Sequence, residues 1–196
     1  MARVGRIERK TNETQIALEL NLDGSGEADV NVPIGFMAHM LQTAARHGLF
    51  DLSVDATGDL HVDSHHLVED LGIVLGQALN EALGERKGIR RAGHFLFPMD
   101  DALAQAAVDL SGRSFLVYKV EFSGTQVGEL EIGLLEDFFR ALTEHGKLNL
   151  HLALFYGRND HHSVEALFKA FARALRSATE IDPRAADQIP STKGSL

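Results

Sequence analysis

His65-His66-Leu67-Val68-Glu69 and His161-His162-Ser163-Val164-Glu165 are one pattern written twice. Each is a His-His-x-x-Glu cluster opening a stretch with helical periodicity. Residues three and four apart share a helix face, so His65 can face the same way as Glu69, and His161 the same way as Glu165. His66 and His162 stand three before those glutamates and approach from the other side. Two imidazoles and a carboxylate near a helix start suit a borderline divalent metal. The plain alternative is a pair of solvated polar helix starts, and two copies in corresponding places count against it.

Working outward from the clusters, the two halves of the chain align. With His65 set on His161, Val68, Glu69, Leu71, Ala78, Leu79 and Ala82 meet Val164, Glu165, Leu167, Ala174, Leu175 and Ala178. With His47-Gly48 set beside His145-Gly146, Leu52 falls on Leu150, and Gly58 falls on Gly157 after one inserted residue. The matches fall on the chemistry and on the apolar stripe alike. The expected fold is therefore α+β: an internal duplication of a β-β-α-β-α unit, with two sheets packed on a four-helix layer. Residues 1–90 form the first repeat half. Residues 91–196 form the second, with its C-terminal tail, and the two make one compact unit.

Period-two alternation predicts strands over 2–9, 14–22 and 50–56, and a short extended piece at Leu60-His61-Val62. Helices are predicted near 36–47 and 65–83, with Gly84 closing the second. The second half repeats this with strands over 94–98, 102–110, 114–122 and 148–155, and helices near 133–145 and 161–178. The tail from Pro190 to Leu196 reads as irregular. The duplication also pairs single residues. His39 lies eight before His47, and Asp137 lies eight before His145, so the two occupy equivalent places and are both permissible metal ligands.

Composition narrows the class. A chain of 196 residues with 44% hydrophobic content can bury a substantial core. A net charge of -9 argues against a nucleic-acid surface while leaving room for a local basic pocket. Cysteine is absent, so His, Asp and Glu must supply any metal ligands. No apolar run approaches the ~18 residues of a membrane span, and the start, from Met1 to Arg6, lacks a signal-peptide apolar region. A cytoplasmic protein that binds neither nucleic acid nor membrane is expected.

The motifs resemble those of the imidazoleglycerol-phosphate dehydratase family from about Arg6 to Leu196. The resemblance rests on Arg9-Lys10-Thr11-Asn12-Glu13-Thr14, His39-Met40-Leu41 with His47-Gly48, and His65 through Asp70. It continues through Pro98-Met99-Asp100-Asp101, Asp109 through Arg113, Asn159 through Glu165, Phe168 through Phe171, and Ser191-Thr192-Lys193-Gly194. It implies elimination of water from imidazole glycerol phosphate to imidazole acetol phosphate, in histidine biosynthesis. It implies two manganese ions per active site, with other divalent metals possible. The implied ligands are His39, His65, His66, Glu69, Asp137, His161, His162 and Glu165. It also implies a homo-oligomeric cage of roughly two dozen subunits, with active sites at subunit contacts.

Two positions depart from the family. Asp usually precedes the His-Met-Leu motif, and here Ala38 does, removing an acceptor that would orient His39. His usually stands where this chain has Asp137, a carboxylate that can still bind manganese.

The implied chemistry needs a base and cations. Divalent ions stabilise an imidazole that has lost its ring proton, hydroxide leaves the neighbouring side chain, and a carboxylate takes the carbon-bound proton. Glu13 is the first candidate base and Asp100 the second. Arg91, Arg113, Lys169, Ser191 and Lys193 stand where the family binds the substrate phosphate. His47 and His145 have a sufficient structural role near helix ends. His151 stays outside the ligand set, and His61 and His94 have no assigned role. Two other functions fit the same clusters: a dinuclear hydrolase using metal-bound water, and a non-catalytic metal-binding cage protein.

Overall fold

A computed structural model describes residues 2–194; Ser195 and Leu196, the end of the expected irregular tail, lie outside the described residues. The first half runs β1 (Val4–Lys10), β2 (Thr14–Asn21), β3 (Ala28–Asn31), α1 (Gly35–Gly48), β4 (Asp51–Gly58) and α2 (His65–Leu83). The second runs β5 (Ala92–Met99), β6 (Ala102–Asp109), β7 (Phe115–Lys119), a small hairpin of β8 (Gln126–Val127) and β9 (Leu130–Glu131), a 3-10 turn (Ile132–Leu134), α3 (Leu135–Gly146), β10 (Asn149–Tyr156) and α4 (Asp160–Thr179).

The sheets have the same plan. One is ordered β1-β2-β4-β3 and the other β5-β6-β10-β7. In each, the third strand of the half pairs in parallel with the strand between the two helices. The repeat is therefore β-β-β-α-β-α, one strand longer than the spacing predicted. The added strand was hidden in the first half. Ala28-Asp29-Val30-Asn31 buries only Val30 even partly, so no apolar alternation marks it. Leu60-His61-Val62 forms a turn, not an extended piece. Its neighbour Gly58 ends β4, and Leu60 and Val62 stay largely exposed, so no sheet face rewards extension there.

The four helices lie between the sheets. α2 covers β1 and β2, α4 covers β5 and β6, α1 packs on α4, and α3 packs on α2. Each helix pair thus joins one half to the other. The alternation that predicted the strands also builds the core: Ile16, Leu18 and Leu20 of β2 face inward, as do Ala104, Ala106 and Val108 of β6. Small residues on β6 let α4 approach closely. At two equivalent positions only glycine fits. A Cβ on Gly5 would fall 2.0 Å from the Ala78 carbonyl oxygen, and one on Gly93 would fall 2.2 Å from that of Ala174. Strand and helix therefore meet at the same register in both halves.

Candidate metal and catalytic site

The helices that carry the histidines are fixed at their first turns. The Asn159 side chain caps α4, accepting from the backbone N–H of His161 at 2.9 Å. At α2 the Asp63 carboxylate accepts the N–H of His65 at 2.9 Å. Adjacent imidazoles then diverge: the rings of His65 and His66 are 89° apart, and those of His161 and His162 84° apart. The two rings of each motif thus stand nearly perpendicular to one another.

The first histidine of each motif faces its own glutamate, His65 Nε2 at 3.9 Å from Glu69 Oε2 and His161 Nε2 at 3.3 Å from Glu165 Oε2. At α4 a third donor arrives from the other half. His39, on α1, places Nε2 at 3.7 Å from Glu165 Oε2. His39, His161 and Glu165 each offer a ligand atom, all within 4.8 Å of one another, the single group of three such donors among the described residues. Phe36 packs its ring 4.9 Å from that of His161. Glu165 is 8% exposed. Burial pushes its carboxyl up, but the hydrogen bond and charge of Lys169, with the charges of His39 and His161, hold it below the ordinary value. Lys169 Nζ takes Oε1 at 2.7 Å and leaves Oε2 facing the two imidazoles.

The second histidine of each motif has both nitrogens directed. His66 Nδ1 meets the Asp59 carboxylate at 3.1 Å, and His162 Nδ1 meets Asp101 at 2.7 Å. An ionised carboxylate only accepts, so each Nδ1 carries the hydrogen, and in the neutral ring each Nε2 presents its lone pair. A carboxylate behind a ligating imidazole is the usual way to orient it. Those Nε2 atoms face Glu13 at 3.8 Å and Asp100 at 3.6 Å. Each candidate base thus faces the second histidine of a motif, although the strand register sets Glu13 on Asp101 rather than on Asp100. His66 titrates above its ordinary value, chiefly through the Asp59 hydrogen bond. Asp101 is held well below the carboxylate range by His162 and by the N–H groups of Arg158 and Asn159.

Asp59 and Asp101 went unrecognised in the sequence. Asp101 had a signal beside Asp100. Asp59 had none, because its acceptor role depends on the 59–64 turn. His39 has no such carboxylate behind it among the described residues, in keeping with Ala38 at the preceding position. Asp137 lies in the first turn of α3, the helix that packs on α2, but it joins no three-donor group with His65 and Glu69.

The cations divide between two regions. Arg91 grips Asp109 at 2.8 Å and 3.2 Å and donates to the carbonyl of Pro190, the residue before Ser191, at 2.9 Å, and the Ser191 hydroxyl accepts the N–H of Lys193. Arg113 sits in the β6–β7 turn at this same end of the sheet, its carbonyl accepting from Asn149. Lys169 lies at the other end, over the Phe97 ring at 5.4 Å and 3.3 Å from Met99 Sδ. β5 separates the ends by about 23 Å, at about 3.3 Å per residue. His47 sets its edge on Phe97 at 5.4 Å, and burial, with Lys169 and Arg173 nearby, pushes its pKa down.

Residues 32–175 match the family model described as imidazoleglycerol-phosphate dehydratase. An imidazoleglycerol-phosphate dehydratase of Granulibacter bethesdensis is 55% identical over 196 residues, covering all of both chains. One of a Jannaschia species is 54% identical over 194 residues, covering 99% of this chain and all of its own. The crystal structure of the Staphylococcus aureus enzyme superposes with a TM-score of 0.83 at 36% identity, covering 91% of this chain and 99% of its own. That of Pyrococcus furiosus gives 0.84 at 35%, covering 97% and 100%.

Proposed function

The chain belongs to the imidazoleglycerol-phosphate dehydratase family, and from that membership we propose how its residues divide the reaction. It is a hydro-lyase that eliminates water from imidazole glycerol phosphate to give imidazole acetol phosphate, a step of histidine biosynthesis. No helix among the described residues is long and apolar enough to cross a membrane. Our reading places the enzyme in the cytoplasm.

The observation that carries the reading is the His39–His161–Glu165 group, two imidazoles and a buried carboxylate joined across the two halves. This donor set fits a divalent metal, and manganese is our assignment. A bound divalent cation supplies the positive charge that stabilises an imidazole ring deprived of its N–H proton. Lys169 neutralises one oxygen of Glu165 and keeps the other turned to the imidazoles. The duplication assigns His65, Glu69 and Asp137 as the equivalent ligand set, although the three are not drawn together as His39, His161 and Glu165 are. His66 and His162 complete the ligands, each with Nδ1 held by a carboxylate and Nε2 free to bind.

Glu13 is the base that removes the carbon-bound proton as hydroxide departs, and Asp100, which faces His162 as Glu13 faces His66, is the second candidate. Arg91, Arg113, Ser191 and Lys193 bind the phosphate, while Lys169 meets it from the ligand end. The separation of these cations along β5 supports an active site assembled from more than one copy of the chain, within a homo-oligomeric cage.

The test is product analysis with purified protein and imidazole glycerol phosphate. The reading expects the enolised keto product in absorbance and no inorganic phosphate. Phosphate release without that product would support a hydrolase, and an inert metal-loaded protein would support a non-catalytic cage.

A further inference from the structure

Asp70 follows Glu69 on α2 and is 6% exposed. It accepts a hydrogen bond from the Thr14 hydroxyl and pairs with Arg9 Nη2 at 3.0 Å. Thr14 Oγ1 in turn lies 3.2 Å from Thr11 Oγ1, and Thr11 Oγ1 accepts the backbone N–H of Glu13 at 3.0 Å and of Thr14 at 2.9 Å. The donors run one way. Thr11 donates to Thr14 and Thr14 donates to Asp70, so each bond polarises the next. The helix turn that presents His66 thereby grips the hairpin that presents Glu13.

The duplication shows that the fold does not require this network. Leu20 pairs with Leu52 and Val108 with Leu150, which sets Thr14 on Ala102. Arg9 pairs with Ile16 and Phe97 with Ala104, which sets Arg9 on Phe97. Asp70 falls on Ala166. The close approaches of Gly5 to Ala78 and of Gly93 to Ala174 fix the same register independently. Where the first half has Arg9, Thr14 and Asp70, the second has Phe97, Ala102 and Ala166. The second half anchors its own hairpin through Asp101, which accepts from the N–H groups of Arg158 and Asn159. Arg9 Nε is also buried without a partner, a cost to stability that an apolar group would not carry.

We propose that Asp70, Thr14 and Arg9 are positioning residues that hold Glu13 against His66 in the geometry of proton removal. The proposal rests on Glu13 being the base. Loss of the network lets the hairpin drift, and displacement of a reacting group by about 1 Å costs about 10²-fold in rate.

Two sets of variants test it on the full-length, manganese-loaded enzyme. Thr14→Val keeps the shape and removes the hydroxyl, and Thr14→Ser keeps the hydroxyl. The combined variant Arg9→Phe, Thr14→Ala, Asp70→Ala installs the residues that pack at the equivalent place in the second half. The expectation is that Thr14→Val and the triple variant lose about 10²-fold in kcat. Their KM, metal content and cooperative melting should stay as in the wild type, and Thr14→Ser should recover most of kcat. Combining Thr14→Val with Glu13→Gln should slow the enzyme no further than Glu13→Gln alone. Wild-type kcat in Thr14→Val, with Glu13→Gln inactive, overturns the positioning role and leaves the base in place. Wild-type kcat in Glu13→Gln overturns both. Loss of metal or of cooperative melting in Thr14→Val, with kcat per bound metal unchanged, overturns the proposal in favour of a structural role.

Discussion

His39 Nε2 lies 3.7 Å from Glu165 Oε2, so a candidate ligand from α1 of one half meets a candidate ligand from α4 of the other. A metal held there stabilises the α1–α4 packing as well as the reaction, because binding to the folded state is folding free energy. His39→Ala and Glu165→Ala should each lower manganese affinity by at least the roughly 10–100-fold that loss of a ligand's supporting partner costs. The double variant should fall well short of the sum, as residues sharing one ion do. Calorimetric titration with manganese measures all three, and additive losses would place the two residues in separate sites.

Asp137 provides a second check on the duplication. Asp137→Ala should lower bound metal and turnover together, and Asp137→His should retain substantial activity by restoring the family's usual ligand. A carboxylate favours manganese or magnesium over zinc more than an imidazole does, so Asp137→His should shift preference toward zinc. Wild-type metal content and turnover in Asp137→Ala would remove it from the ligand set and leave His39 without a counterpart.

The glycines at the strand–helix contacts test the fold itself. Gly5→Ala and Gly93→Ala each drive a methyl group into a helix carbonyl, at Ala78 and Ala174 respectively. Overpacking of this kind costs about 1–3 kcal/mol, and strand and helix must move apart to accept it. Denaturant midpoints should fall by similar amounts in the two variants. A large loss at one and none at the other would break the equivalence of the halves.

Asp51 gives a pH dependence far from the ligands. The N–H groups of Ser25, Glu27 and Gly26, with the Asn21 side chain, lower its pKa against the opposing effect of burial. A carboxyl whose folded pKa lies below its unfolded value of 3.8 contributes stability that is full above that value and fades as pH falls through the folded one. Asp51→Asn should therefore be less stable than wild type at neutral pH. The gap should narrow as pH drops below about 4. A gap constant down to pH 2 would show that the charge on Asp51 contributes nothing.

The parts legible in the sequence were those set by local period and local spacing. The stretch from His65 to Leu83 declared α2 at both ends, since the apolar stripe starts at the histidines and stops at Gly84. The pairing of His161 with Glu165 followed from helical spacing alone. The Lys169–Glu165 pair obeys that same spacing and sets Lys169 against the His39–His161–Glu165 group. Illegible features depended on distant chain meeting distant chain. β3 is held by backbone pairing with β4, with almost no apolar signature. His162 finds Asp101 in another hairpin, while the equivalent His66 finds Asp59 in the turn just before it. The spacing of the duplicated motif could not distinguish these two solutions.

Metal dependence is tested most directly by stripping the protein of metal, returning manganese in steps, and following bound metal and keto-product formation on the same samples. The account predicts no turnover in stripped protein and a rise in proportion to occupancy, with His39→Ala requiring far more manganese for the same rate. Undiminished turnover of imidazole glycerol phosphate by protein in which metal analysis finds no bound divalent ion would contradict it.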